Sequence, residues 1–415
     1  MDVAMSRYGF ILPRYFEGIA GGAETLMAAI AAQLSARGDT VEIFTTCAKD
    51  NRTWANEFEP GTMHVNGISV HRHLVDERNL DRWVPIQLAI HDNQEVSTED
   101  QLEWMAQSVN SSSLYARLKG VGESFDALFF GPYLFGTTFW GSLIHPSKSI
   151  LIPCLHDESY AYQQVIASMF RQVRGCLFNA APEMALARSL YGPILGGVVG
   201  MGFVPPTDEA VRALNPYFEE EFPYILYLGR KETGKNVHLL IDHFCAAKSS
   251  GLISEEVKLV VLGGGSFTDL HRPTALSRGD VIDLPHLSEA EKQQVLKHAL
   301  YLCQPSTNES FSIVLMEAWM VGTPVVVHSA CAVTHHHVVV AGAGLYFSTA
   351  EDLGGVTSFL LSDRSERARL AAAGREYVER EYSWASVLQR FDAVVGKLLC
   401  TSDDSEKLPS QCGDS

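Results

Sequence analysis

Positive charge is scarce in this chain. The 415 residues carry 32 lysines and arginines against 49 aspartates and glutamates, a formal net charge of −17. A field of that sign repels a phosphate backbone, which excludes nucleic acid as a partner class. It also makes any cation beside a glycine-rich turn informative, because a phosphate ligand needs local positive charge to overcome the background. Cysteine pairs are missing too. The eight cysteines, at 47, 154, 176, 245, 303, 331, 400 and 412, include no CxxC and mostly sit in apolar stretches, the pattern of reduced thiols in a cytosolic protein. The opening MDVAMSRYGFILP has too short an apolar part for a secretory signal. Residues 127–147 hold no Asp, Glu, Lys or Arg and approach spanning length, but Gly131, Pro132, Gly136 and Gly141 interrupt them. A buried strand (ALFF), a Gly-Pro turn and a covered helix account for that run. A soluble, cytoplasmic protein is therefore expected, with peripheral contact at the inner membrane face left open for lipid-linked acceptors.

What is present reads as two α/β halves. Hydrophobic residues make up 46% and charged residues 20%, so packed cores can form, and the length implies two or three domains. RYGFILP forms a strand, a loop runs to Gly21-Gly22, and AETLMAAIAAQLSAR places Leu26, Ile30 and Leu34 at helical spacing before a C-cap at Gly38. VEIFTT then completes a strand–helix–strand unit with a right-handed crossover. ALFF, SILIP and GCLFN continue the pattern. Residues 50–125, with NRTWANEFEPGT and HRHLVDERNLDRW, read as loops and a helical insertion near a ligand cleft. Around 199–223 the composition shifts to Gly, Pro and acidic residues, a domain linker. The unit then restarts with YILYLG, the loop RKETGK and the helix NVHLLIDHFCAAKSS, followed by KLVVLGGG, VIDLPHL, a capped SEAEKQQVLKHA, and LYLCQPS. A helix near 310–321 stops at Gly322-Thr323-Pro324. The domains expected are 1–205 and 206–383, with a helix at 384–400 packing back on the first domain and a mobile tail at 401–415.

The chemistry gathers in the second half. Glu309 and Glu317 flank SFSIVLM, about 12 Å apart along the axis if the segment is helical. That is nearly the reach of a nucleotide sugar, with one carboxylate for sugar hydroxyls and the other for a ribose. Amides of Ser310, Phe311 and Ser312 at the helix N-terminus suit a diphosphate. The bland alternative makes Glu309 a cap and Glu317 a solvent-facing residue; the apolar SIVLMEAWMV around Glu317 argues for a bound partner instead. Arg230 and Lys235, in GRKETGK directly after a strand, can reach a diphosphate leaving group or can be solvated loop charges. His335, His336 and His337 are consecutive, so they point different ways, and no metal is assigned.

The order GGAE, HD, GRxxxxK, LGGG and ESFSIVLMEAWMVGTPVVV resembles a retaining glycosyltransferase of family 4. The resemblance covers nearly the whole chain, and its most specific element runs from Glu309-Ser310-Phe311 through Glu317 to Gly322-Thr323-Pro324. It implies the GT-B fold, two Rossmann-like doubly wound domains facing across a cleft. It also implies that Glu309 contacts the donor sugar, Glu317 the ribose, and Arg230 with Lys235 the diphosphate. Ser310, Phe311, Ser312 and Ile313 would join the donor site, Leu284, His286 and Leu287 would pass the nucleobase, and the amides after Gly21 and Gly22 would lie across the cleft. His156 of HDE would lie near the sugar's reacting face, so that His156, Glu309, Arg230 and Lys235 are the catalytic candidates. Asn236 and Ser312 depart from the pattern, each standing where glycine is common.

The implied reaction moves a sugar from a nucleotide diphosphate donor, UDP- or GDP-linked, to an acceptor hydroxyl with retention, as in polysaccharide biosynthesis. No metal and no cofactor beyond the nucleotide sugar are expected, and the acceptor is a saccharide, a lipid-linked saccharide or a small molecule. A catalytically silent nucleotide-sugar-binding subunit and a GT-B sugar-nucleotide 2-epimerase are the alternatives. A dehydrogenase is disfavoured, because neither GGAE nor LGGG completes GxGxxG with its later acidic residue.

Overall fold

The computed structural model describes residues 5–18 and 21–400; the expected tail at 401–415, with Cys412, lies outside the described residues. Segments such as ALFF and KLVVL are apolar at nearly every position, which suits parallel strands covered by helices on both faces. They form two sheets, one in each of two units: residues up to Gly202 together with those from Trp384 onward, and Phe203–Ser383.

The first unit contains β1 (Arg7–Ile11), β2 (Thr40–Thr46), β3 (Gly61–Val65), β4 (Ile68–His73), β5 (Ala127–Phe130), β6 (Ser149–Leu151), β7 (Gly175–Phe178) and β8 (Gly196–Val198). Their order is β3-β4-β2-β1-β5-β6-β7-β8, parallel except for the β3–β4 pair. Residues 50–125 are more regular than the expected loops and helical insertion: besides three helices they hold β3 and β4, and HRH of the supposed loop ends β4. Polar residues disguise that strand. His71 bonds Glu42 at 2.8 Å, and the Arg72 guanidinium covers the Phe58 ring at 4.1 Å, so both are buried without being apolar. The helix Trp384–Cys400 belongs to this unit: Phe391 packs on Tyr8 and Phe129, Asp392 pairs with Arg37 at 2.8 Å, and Arg174 donates to the Leu398 carbonyl.

The second unit contains β9 (Tyr224–Leu228), β10 (Lys258–Leu262), β11 (Val281–Leu284), β12 (Tyr301–Gln304), β13 (Val325–His328) and β14 (Gly344–Phe347), all parallel, in the order β11-β10-β9-β12-β13-β14. Its boundary falls at Gly202/Phe203, three residues before the 205/206 expected. Among the parallel strands of each sheet the order reverses direction once, between β1 and β5 and between β9 and β12. Doubly wound folds bind ligands at the carboxyl ends of strands beside such a reversal. No helix among the described residues is long and apolar enough to cross a membrane.

Candidate functional site

At the β9/β12 reversal the chain leaves β9 through Gly229-Arg230-Lys231. A side chain at Gly263 (φ 138°) would bring its Cβ within 2.1 Å of the Gly229 carbonyl oxygen. Glycine there lets the loops after β9 and β10 lie together, and Lys231 bridges Gly265 in parallel. Lys231 itself is 3% exposed, donates to the carbonyls of Gly263 and Leu284, and pairs with Asp283 at 2.6 Å. It ties together the ends of β9, β10 and β11. Arg230 points outward, half exposed, and meets Glu232 at 3.1 Å.

Lys235 closes a short 3-10 turn, Thr233–Lys235, and its ammonium lies 2.7 Å from the Glu309 carboxylate on the loop after β12. Two of the cross-reversal residues expected from the sequence are therefore in direct contact. The turn passes to the helix Val237–Ser249 through Asn236, at φ 54°, whose amide reaches the Pro305 carbonyl at 3.3 Å. Asparagine tolerates the left-handed region better than most residues, which accounts for its standing where glycine is common.

The helix carrying Glu317 starts later than expected. It spans Ile313–Met320, because Ser312 takes a left-handed φ of 68° and breaks the run before it. Glu309 thus precedes the helix, so the spacing along one axis does not apply to it. The amides opening the helix are those of Ile313 and Val314, not those of Ser310, Phe311 and Ser312. Phe311 is 3% exposed and packs against Tyr382, His337 and Phe203, so its ring is a core residue and not a ligand contact. Gln304, at the end of β12, reaches Glu309 at 3.4 Å and leaves its own buried Oε1 without a partner.

Glu317 shares the half-buried helix face with Ile313 and Val314, at helical spacing. Burial pushes its carboxyl above the usual range, and the Lys292 ammonium, 2.8 Å away, acts in the opposite direction. Leu284, the last residue of β11, and Leu287 on the loop after it are half-buried, with His286 exposed between them.

In the first unit, Gly21 caps the helix Gly22–Ala36, and a Cβ there would meet the Glu24 carboxylate at 2.1 Å. Glu24 is buried and paired with Arg14 at 2.7 Å, so the acid of GGAE holds the loop in place while Gly22 is exposed. His156 stands on the loop after β6. Its Nδ1 is 3.6 Å from Glu158, which also accepts from the Tyr133 hydroxyl at 2.8 Å, and the neighbouring Leu155 amide donates to Glu183 at 2.7 Å.

Of the three consecutive histidines, His337 is a core residue bonded to the Tyr377 hydroxyl at 2.9 Å, and burial lowers its pKa to about 3. Lys231, Lys292, Gln304 and Glu183 were not singled out from sequence, and of these only Lys231, the first lysine of GRKETGK, carried any signal. A cavity lined by Tyr217, Tyr224, Lys297, Leu300, Pro324 and Arg367 opens at the other edge, where β9, β12 and β13 begin. Ligands of doubly wound sheets sit at the opposite ends of the strands.

Two doubly wound parallel-sheet domains are the architecture of the GT-B fold. Solved structures agree: trehalose 6-phosphate synthase of Burkholderia multivorans has a TM-score of 0.70 at 9% identity, covering 98% of this chain and 99% of that one. HepE of Anabaena, in complex with UDP and glucose, has a TM-score of 0.67 at 16% identity, covering 94% of this chain and 100% of that one. Residues 215–377 match the family described as glycosyl transferases group 1. Among curated proteins, a D-inositol 3-phosphate glycosyltransferase of Xylanimonas cellulosilytica is 32% identical over 44% of this chain and 45% of its own length. A phosphatidyl-myo-inositol mannosyltransferase of Mycobacterium leprae is 30% identical over 39% of this chain and 43% of its own. These matches span less than half the length of the curated relatives.

Proposed function

We propose that the chain is a retaining, metal-independent glycosyltransferase that takes a sugar from a nucleotide diphosphate donor and passes it to an acceptor hydroxyl. The observation that carries this reading is the Lys235–Glu309 contact across the β9/β12 reversal, with Glu317 on the helix that follows. A diphosphate arriving there competes for Lys235 and releases the Glu309 carboxylate to accept hydroxyls of the sugar. Arg230 and Lys235 then stabilise the diphosphate as its bond to the anomeric carbon breaks and it gains charge, while the acceptor oxygen bonds to that carbon from the same face and gives up its proton to the departing diphosphate. Glu317 accepts the ribose hydroxyls, the loop Leu284–Leu287 passes the base, and His156 serves turnover by position or charge. The group 1 match over residues 215–377 and the UDP-bound HepE structures support a nucleotide-sugar donor.

A thermal-shift panel of UDP-, GDP-, ADP- and dTDP-sugars tests it. A ligand at 100 times its dissociation constant stabilises the fold by about 2.7 kcal/mol, so one member should raise the melting temperature clearly. A flat response across all four at millimolar concentration contradicts the reading.

A further inference from the structure

Lys292 has no part in the reaction described above, yet its surroundings are those of a built contact. It lies one turn into the helix Glu289–His298, which follows the base-side loop Leu284–Leu287 with only Ser288 between them. Ser288 and Glu291 close a capping box there, so the loop runs straight into a secured helix end. The Lys292 ammonium is 2.8 Å from Glu289 and 2.8 Å from Glu317, with 19% of its side chain exposed. It therefore links the segment beside the base to the middle of the helix Ile313–Met320, 25 residues further along the chain. Its bond goes to Oε1 of Glu317. Without it, the Glu317 carboxylate would lose the ammonium that opposes its desolvation.

We propose that Lys292 is a positioning residue for nucleotide capture, keeping Glu317 an ionised acceptor turned toward the ribose and holding the base-side loop at a fixed distance from it. The inference rests on the assignment of Glu317 to the ribose. Lys292 touches no ligand and acts only through that carboxylate. Glu289, with 66% of its side chain exposed, steadies the ammonium from the solvent side.

The test is calorimetry with UDP and GDP and with their 2′,3′-dideoxy forms, on the wild type, Lys292→Met, Lys292→Arg, Glu317→Ala and the Lys292→Met/Glu317→Ala double variant. Methionine keeps the apolar stem that packs against the helix. Lys292→Met should weaken the bound ribonucleotide by about tenfold, the size expected for loss of a charge-assisted hydrogen bond. It should leave the dideoxy form nearly unchanged, Lys292→Arg should recover most of the loss, and the double variant should bind no worse than Glu317→Ala. Equal losses for ribo and dideoxy forms, or losses that add in the double variant, overturn the inference. If Glu317→Ala binds UDP and GDP as the wild type does, the ribose assignment itself fails, and the inference with it. If Glu317→Ala weakens binding and Lys292→Met does not, the assignment stands and the inference alone falls.

Discussion

His337 is buried against Phe311, Tyr377 and Tyr382, and that burial, helped by the neighbouring His336, lowers its pKa from the ordinary 6.5 to about 3. The unfolded chain takes up this proton near pH 6.5 while the fold resists it until about pH 3, so stability falls as pH drops through that window. His73, lowered to about 4 mainly by burial, adds a change of the same sign. The denaturant midpoint should therefore be lower at pH 5 than at pH 7, and His337→Gln should show a smaller drop. Glu183, raised by burial to about 8, pulls the other way but is common to both proteins. Parallel pH dependences for wild type and variant would contradict this. His156 is a different case, half-buried on a loop with Glu158 3.6 Å away. His156→Ala should cut turnover far more than donor affinity, measured by steady-state kinetics beside calorimetry. Equal loss in both would demote it to a residue of the loop's structure.

At the scale of elements, the loops after β6 and β7 are fastened by one carboxylate. Glu183, in the first turn of the helix Ala181–Tyr191, accepts from the Leu155 amide with one oxygen and from the Asn179 amide with the other. At pH 9, above its raised pKa of about 8, Glu183 is ionised, and Glu183→Gln replaces one acceptor with an amino group that faces a donor, at a cost of about 1–3 kcal/mol. Urea unfolding should show that loss, and an unchanged midpoint would contradict the account of the loop that carries His156. The strands were legible in the sequence where both faces are buried, as in ALFF and KLVVL, because short apolar runs bounded by turn residues suit strands covered on both sides. β4 was not, since His71 and Arg72 are buried through partners that no local pattern announces. The helix start at Ile313 was also hidden. It depends on the left-handed φ of Ser312, and ESFSIVLMEAWM holds no proline or glycine to mark it. Likewise the pairing of Lys235 with Glu309 spans 74 residues and that of Lys292 with Glu317 spans 25, distances over which spacing arguments say nothing.

For the molecule as a whole, a net charge of −17 opposes anions, and in the proposed reaction Arg230 and Lys235 at the carboxyl edge of the second sheet offset it locally. In that proposed reaction Arg230 and Lys235 take the electrostatic part that a divalent ion plays in other transferases, so transfer should persist in excess EDTA. Activity lost on chelation and restored by one divalent ion would contradict that. The central claim is the direction of the donor, with ribose at Glu317 and the transferred sugar at Glu309. Calorimetry with free nucleoside diphosphate, set beside turnover of the sugar donor, tests it most directly. Glu317→Ala should weaken the free nucleotide and the intact donor by similar factors, on the order of tenfold. Glu309→Ala should leave the free nucleotide almost untouched and reduce transfer, because its contacts strengthen as the anomeric centre becomes cationic. If the two folded variants behave identically in both assays, the donor does not lie along this edge as described.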